Sequence, residues 1–191
     1  EPVAVKRLRD PGAGRASAEF RRVFRMEVAI LRRLSHPNVV RYRGVRVRPP
    51  SEEGGEEGGG GAALDLVLEY CEGGSLKDHL ERVWGGGPMA LDPLLDVARQ
   101  VLRGAAYLHA QGVIHRDIKP ANLLLGAGGR VKLADFDVST SVHGALLLTR
   151  TAVGTPRYMA PEVAAGERYA AAADVWSVGC ALLELAAGAP P

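Results

Sequence analysis

At 191 residues, 47% apolar and 24% charged, the chain has the make-up of a globular protein of one or two domains, long enough to bury a core. A net charge of +2 is too small to make nucleic acid or a membrane surface the expected partner, and no uncharged apolar run of about 18 residues is present to span a bilayer. No signal-peptide pattern is found, and the only cysteines, Cys71 and Cys180, sit in apolar surroundings. The expected setting is therefore a reducing compartment, cytosol or nucleus, with free thiols; a single disulfide stays open as the alternative.

Val3-Ala4-Val5-Lys6 alternates, so a strand would put Val3 and Val5 on one face and Ala4 and Lys6 on the other. Pro11, Gly12 and Gly14 predict a loop over residues 7–16, after which Ser17 caps a helix with Glu19 in its first turn. Along that helix Phe20, Val23, Phe24, Ile30, Leu31 and Leu34 share one stripe, and Glu27 falls within it. A carboxylate on a buried stripe is costly unless it is paired, and Lys6 is the nearest candidate. The other reading puts Glu27 at the stripe's edge, reaching solvent.

Residues 39–47 read as a strand in which Gly44 marks a candidate bulge. Its arginines, Arg41, Arg43, Arg46 and Arg48, form either a solvated face or a basic patch. Residues 49–61 are a Gly- and Glu-rich insertion, disordered by composition. Glu52, Glu53, Glu56 and Glu57 would repel phosphate, so its glycines do not read as a phosphate cradle. Residues 64–70 read as a buried strand, Ser75 as the cap of a short helix reaching about Val83, and residues 84–90 as a loop. Asp92-Pro93 is a helix start, followed by the stripe Leu94, Val97, Ala98, Val101, Leu102, Ala105 and Leu108, with Gly112 beyond the end.

Chemistry concentrates in His115-Arg116-Asp117-Ile118-Lys119-Pro120-Ala121-Asn122 and in Val131-Lys132-Leu133-Ala134-Asp135-Phe136, where residues 123–125 and 131–133 read as paired strands. Asp117 is suited to orient a hydroxyl and accept its proton, and Lys119 to neutralise phosphate charge. Asn122 and Asp135 offer the hard oxygen ligands that Mg²⁺ prefers, leaving part of its shell to phosphates. Any one of these residues alone would be an ordinary polar loop residue. Together they suit phosphoryl transfer, which depends on positioning and charge neutralisation.

These strings resemble the catalytic loop and metal-binding segment of eukaryotic protein kinases, and Lys119, two places after Asp117, resembles the serine/threonine class. The resemblance extends from residue 3 to the last residue. It implies a bilobal α+β fold truncated at both ends, with a small sheet and one helix (residues 1–70) on a mostly helical lobe (residues 71–191). The glycine-rich loop expected before Val3 and the helices expected after Pro191 are absent from the sequence. The resemblance further implies ATP and Mg²⁺ as cofactors. Lys6 would bind the α/β-phosphates, oriented by Glu27, while Leu68 would be the gatekeeper behind adenine. The Glu69 carbonyl and Cys71 amide would bond the adenine edge, and Ala4 and Leu124 would complete the nucleotide pocket. Asp117, Lys119 and Asn122 would be catalytic, with Asn122 and Asp135 on the metal.

One departure stands out. The family's Phe-Gly after the metal-binding aspartate is Phe136-Asp137 here, and glycine tolerates backbone conformations that aspartate visits only at a cost. That implies reduced activity or a shifted active-to-inactive equilibrium, and it leaves a pseudokinase acting as a binding module as the competing reading. Residues 151–162 resemble the end of an activation segment. Thr155 matches the threonine that contacts the catalytic aspartate, and Thr151, with Thr149 as its rival, matches the regulatory phosphorylation site. A phosphate there would add roughly two negative charges and order the loop against Arg116. Glu162 would pair with an arginine beyond the chain. Asp174 reads as the N-cap of a final core helix interrupted by Glu184, and by resemblance as the anchor of the catalytic loop's backbone. Residues 69–76, 154–162 and 174–180 are similar to the mitogen-activated protein kinase kinase kinase branch. The implied partners are a protein substrate, such as a downstream kinase, and an upstream activating kinase or autophosphorylation.

Overall fold

The computed structural model describes residues 1–9, 15–48, 63–135, 155–167 and 169–189. The chain forms two compact units: Glu1–Leu34 with Arg41–Tyr70, and Ser35–Val40 with Cys71–Pro191. Each is α+β.

In the first unit, strands β1 (Val3–Arg9), β2 (Tyr42–Arg48) and β3 (Ala63–Glu69) form an antiparallel sheet in the order β1-β3-β2. β1 runs three residues beyond the expected loop start because Arg7, Leu8 and Arg9 continue the ladder opposite Asp65, Leu64 and Ala63. The register of β2 against β3 shifts between Tyr42 and Gly44, the bulge expected at Gly44. The arginine run is partly absorbed inside this unit. Asp65, only 2% exposed, takes Arg48 Nε at 2.9 Å with Arg7 at 4.0 Å, and Arg43 pairs with Glu1 at 2.9 Å. Helix α1 (Arg15–Leu31) buries Phe24 and Leu31 on the predicted stripe and stacks Phe20 on Phe24 at 6.2 Å between ring centroids. It begins two residues before Ser17, so Ser17 lies in its first turn rather than at its cap.

The second unit holds helices α2 (Leu76–Arg82), α3 (Leu91–Ala110), α4 (Pro161–Ala164) and α5 (Ala172–Ala187), with the hairpin β4 (Leu123–Gly126) and β5 (Arg130–Leu133). α2 starts as its sequence dictates: Ser75 and Asp78 form a reciprocal capping box. α3 and α5 do not start where their acids suggested. Ala90 and Ala171 occupy the cap positions, Asp92 and Asp174 fall in the first turns, and Asp174 faces inward. Tertiary bonds to Asp174 outweigh its local capping preference.

The core of this unit is apolar, built on Leu76, Leu80, Leu108, Ile118, Leu133 and Leu185, each at most 1% exposed. Residues 35–40 join it through backbone and side-chain bonds. Val39 bridges Leu133, Val40 N–H donates to the Leu133 carbonyl at 2.9 Å, and Asn38 Nδ2 donates to the Val131 carbonyl at 2.8 Å. Gly104 of α3 permits that approach, because a Cβ there would lie 2.6 Å from the Asn38 carbonyl oxygen. Neither Cys71 nor Cys180 forms a disulfide, and burial pushes the Cys180 thiol up. Among the described residues, no helix is long and apolar enough to cross a membrane.

Candidate active site

The polar string 115–122 lies between α3 and β4 and ends in a 3₁₀ turn over Pro120–Asn122, started by the proline's fixed φ. Its backbone is held from α5. The Asp174 carboxylate, 1% exposed, accepts the Arg116 N–H on Oδ1 at 2.8 Å and the His115 N–H on Oδ2 at 2.8 Å. His109 Nε2 of α3 lies 2.7 Å from the same Oδ2. Burial pushes the Asp174 carboxyl up, but the His109 bond and the backbone donors outweigh it and hold the group below the usual carboxylate range. These bonds help keep Arg116 at φ +72, a conformation that costs a non-glycine residue free energy.

His115 is fully buried, and burial lowers its pKa. The neutral ring can therefore accept a bond on Nδ1, where the Asp117 N–H lies at 3.3 Å. The Arg116 guanidinium sits 5.9 Å from the centre of the Tyr169 ring, with Nε and Nη1 buried and, among the described residues, without a hydrogen-bond partner.

Asp117 is the focus of the site. Its Oδ2 takes Lys119 Nζ at 2.7 Å and Asn122 Nδ2 at 2.9 Å, while Oδ1 takes the Thr155 hydroxyl at 2.8 Å and the Thr155 N–H at 3.1 Å. Lys119 Nζ also donates to Thr155 Oγ1 at 2.7 Å, and Asn122 Nδ2 to the Asp117 carbonyl at 2.7 Å. Burial pushes the Asp117 carboxyl up, but the bonds from Lys119, Thr155 and Asn122 and the Lys119 charge prevail and hold it below its ordinary value. The result is an ionised acceptor, about a quarter exposed, with its oxygens aimed by three side chains.

Asp117, Lys119, Asn122 and Thr155 are thus brought together. Asp135 follows β5, exposed and at φ +60, a left-handed conformation that aspartate tolerates better than most residues. The amide bonds of Asn122 use its nitrogen, which leaves its oxygen suited to a hard cation, and the Asp135 carboxylate is of the same donor type. Leu124 is half-buried on β4, and Cys71 is buried where the second unit resumes. The remaining nucleotide candidates belong to the first unit: Ala4 and Lys6 on β1, Glu27 half-buried on α1, and Leu68 and Glu69 at the end of β3. There the Glu69 N–H donates to the Arg41 carbonyl at 2.8 Å, and the Arg41 N–H donates to Glu69 Oε2 at 3.1 Å. Phe136, Asp137, Thr149 and Thr151 lie outside the described residues.

Residue patterns did not single out His109, Tyr158 or Lys77, and they marked Glu184 only as an interruption. Tyr158, in a 3₁₀ turn over Pro156–Tyr158, donates its hydroxyl to the fully buried Glu184 of α5. Burial and that bond push the Tyr158 phenol well above its usual value. A carboxylate within the apolar run of the second half of α5 was the available signal.

The sequence matches the family described as "Protein kinase domain" over residues 1–191. It is 41% identical over 191 residues, all of this chain, to "Cell division control protein 7" of Schizosaccharomyces pombe, covering 16% of that protein. To "Cytokinesis protein sepH" of Aspergillus niger it is 42% identical over 191 residues, covering all of this chain and 13% of that protein. To "MAP3K epsilon protein kinase 1" of Arabidopsis thaliana it is 42% identical over 166 residues, covering 86% of this chain and 11% of that protein. The chain therefore spans between 11% and 16% of the length of these relatives.

Proposed function

The chain belongs to the protein kinase family, on its serine/threonine side, and from that premise we propose that it transfers the γ-phosphoryl group of ATP to a serine or threonine hydroxyl of a protein. The observation that carries this reading is the aimed, ionised Asp117 with Thr155 on one oxygen and Lys119 and Asn122 on the other. In the reaction, the substrate oxygen forms a bond to the γ-phosphorus, the bond from that phosphorus to the ADP oxygen breaks, and the hydroxyl proton passes to Asp117. Lys119 supplies positive charge where negative charge develops on the transferred group. Asn122 and Asp135 would hold Mg²⁺, which would neutralise charge on the phosphates. Lys6, steadied by Glu27, grips the nucleotide's phosphates. The adenine contacts that the family resemblance implies, at Ala4, Leu68 and Glu69 in the first unit and at Cys71 and Leu124 in the second, are part of the same proposal.

One feature supports regulation by phosphorylation at Thr151, or at Thr149. Among the described residues, two buried nitrogens of Arg116 lack acceptors, and a phosphate supplies strong ones. The cell-division and MAP3K names of its relatives support a place in a signalling cascade, with a protein, such as a further kinase, as substrate.

Asp137 favours a second reading, a binding module of pseudokinase type. The test is Mg²⁺-dependent transfer of labelled phosphate to a generic basic protein by the native chain, Asp117→Asn and Asp137→Gly. Transfer by the native chain that Asp117→Asn abolishes sustains the kinase reading. ATP binding without transfer, even in Asp137→Gly, would favour the binding module.

A further inference from the structure

Glu184 interrupts the apolar run of α5 with a side chain that is 0% exposed. A carboxylate in that position must be balanced by charge and bonded on its oxygens. Both conditions are met from other elements. Oε1 accepts from Lys77 Nζ of α2 at 2.9 Å, and Oε2 accepts from the Tyr158 hydroxyl. Lys77 Nζ also meets Glu81 at 3.3 Å, an i,i+4 surface contact that would be unexceptional without Glu184.

Tyr158 is fastened at two further points. Its carbonyl accepts from Ser177 Oγ of α5 at 2.7 Å, and its N–H donates to the Thr155 carbonyl at 3.0 Å. Thr155 is the residue whose hydroxyl donates to Asp117 Oδ1 and accepts from Lys119. A continuous hydrogen-bonded path thus leads from Lys77 through Glu184, Tyr158 and Thr155 to the catalytic carboxylate, all of it inside the second unit.

We propose that Lys77 is a positioning residue for phosphotransfer: its ammonium balances the buried Glu184 carboxylate, Glu184 fastens Tyr158, and Tyr158 fixes the turn that sets Thr155 on Asp117. The inference rests on the kinase reading for its catalytic consequence, though not for the structural relay. Without the Lys77 charge, Glu184 is a buried anion with one neutral donor. It then turns toward water or takes another donor, and in either case its hold on Tyr158 changes. Arginine at position 77 keeps the charge, whereas methionine keeps the stem and loses it.

The experiment compares Lys77→Met, Lys77→Arg, Glu184→Gln and the Lys77→Met/Glu184→Gln pair with the native chain. Two readouts are taken: steady-state kcat and KM for phosphotransfer, and amide hydrogen exchange at Thr155 and Tyr158. Lys77→Met is expected to lower kcat by about tenfold or more, with KM for ATP nearly unchanged, because a displaced group costs catalysis more than nucleotide binding. The same variant should speed exchange at both amides. Lys77→Arg should restore both readouts, and adding Glu184→Gln to Lys77→Met should recover most of the loss, since no unbalanced charge then remains. Native values in Lys77→Met, or a double variant no better than Lys77→Met, would overturn the proposal. If the native chain transfers no phosphate, the kinase reading fails, and the exchange rates alone decide the relay.

Discussion

Replacing Asp174 should uncouple the catalytic loop from α5. Its two oxygens accept the His115 and Arg116 N–H groups at 2.8 Å each and face His109 at 2.7 Å, in a place where Asp174 is 1% exposed. Asp174→Ala strands both backbone donors in residues that are themselves buried, at about 1–3 kcal/mol for each unsatisfied group. The expected loss is about 3–5 kcal/mol. Asp174→Asn keeps one acceptor oxygen and turns an NH₂ toward a donor, so it should cost about 2–3 kcal/mol. The assay is urea unfolding of native and variant chains, with amide exchange read at His115 and Arg116.

The pH dependence follows from the sign of the shift. The folded-state pKa of Asp174 is depressed, so its contribution is present above the unfolded value of about 3.9 and disappears as pH falls through the folded value. The stability gap between native and Asp174→Asn should therefore close progressively below about pH 4. A loss under about 1 kcal/mol in Asp174→Ala, or unchanged exchange at both amides, would refute the anchoring role.

Thr155→Ser should stay close to native activity, while Thr155→Ala removes the hydroxyl between Asp117 and Lys119 and should lower kcat by roughly tenfold in a steady-state assay. Lys119→Met removes a bond and a charge that depress the Asp117 pKa, so the acid limb of the kcat/KM profile should move to higher pH. Gly104→Ala would drive a Cβ to 2.6 Å from the Asn38 carbonyl oxygen and 2.8 Å from Leu133 Cδ1, and should cost about 1–3 kcal/mol in denaturant melts.

The grouping of the candidate site was legible where it is local in sequence. Asp117, Lys119 and Asn122 lie within six residues, and a 3₁₀ turn suffices to gather them, so residue type and spacing carried the reading. The β4–β5 hairpin and the Ser75 cap were legible for the same reason. What depends on contacts between distant segments was not. Asp174 and Asp92 look alike as helix-opening acids, yet one is buried under three donors and the other is exposed, because only Asp174 meets a loop with unsatisfied N–H groups. Periodicity likewise flagged Glu184 as an interruption but could not supply its partners, which come from positions 77 and 158. Strand β1 outran its predicted end because pairing with β3 outweighed the loop-forming residues that follow.

The most direct test of the central claim is transfer of labelled γ-phosphate from ATP to serine or threonine in a protein substrate, comparing the native chain with Asp117→Asn. Mg²⁺-dependent transfer by the native chain is expected, with a fall of at least about a hundredfold in the variant, since the proton acceptor is lost while its bonding partners remain. Equal transfer by the two chains, or ATP binding by the native chain with no transfer at all, would contradict that claim.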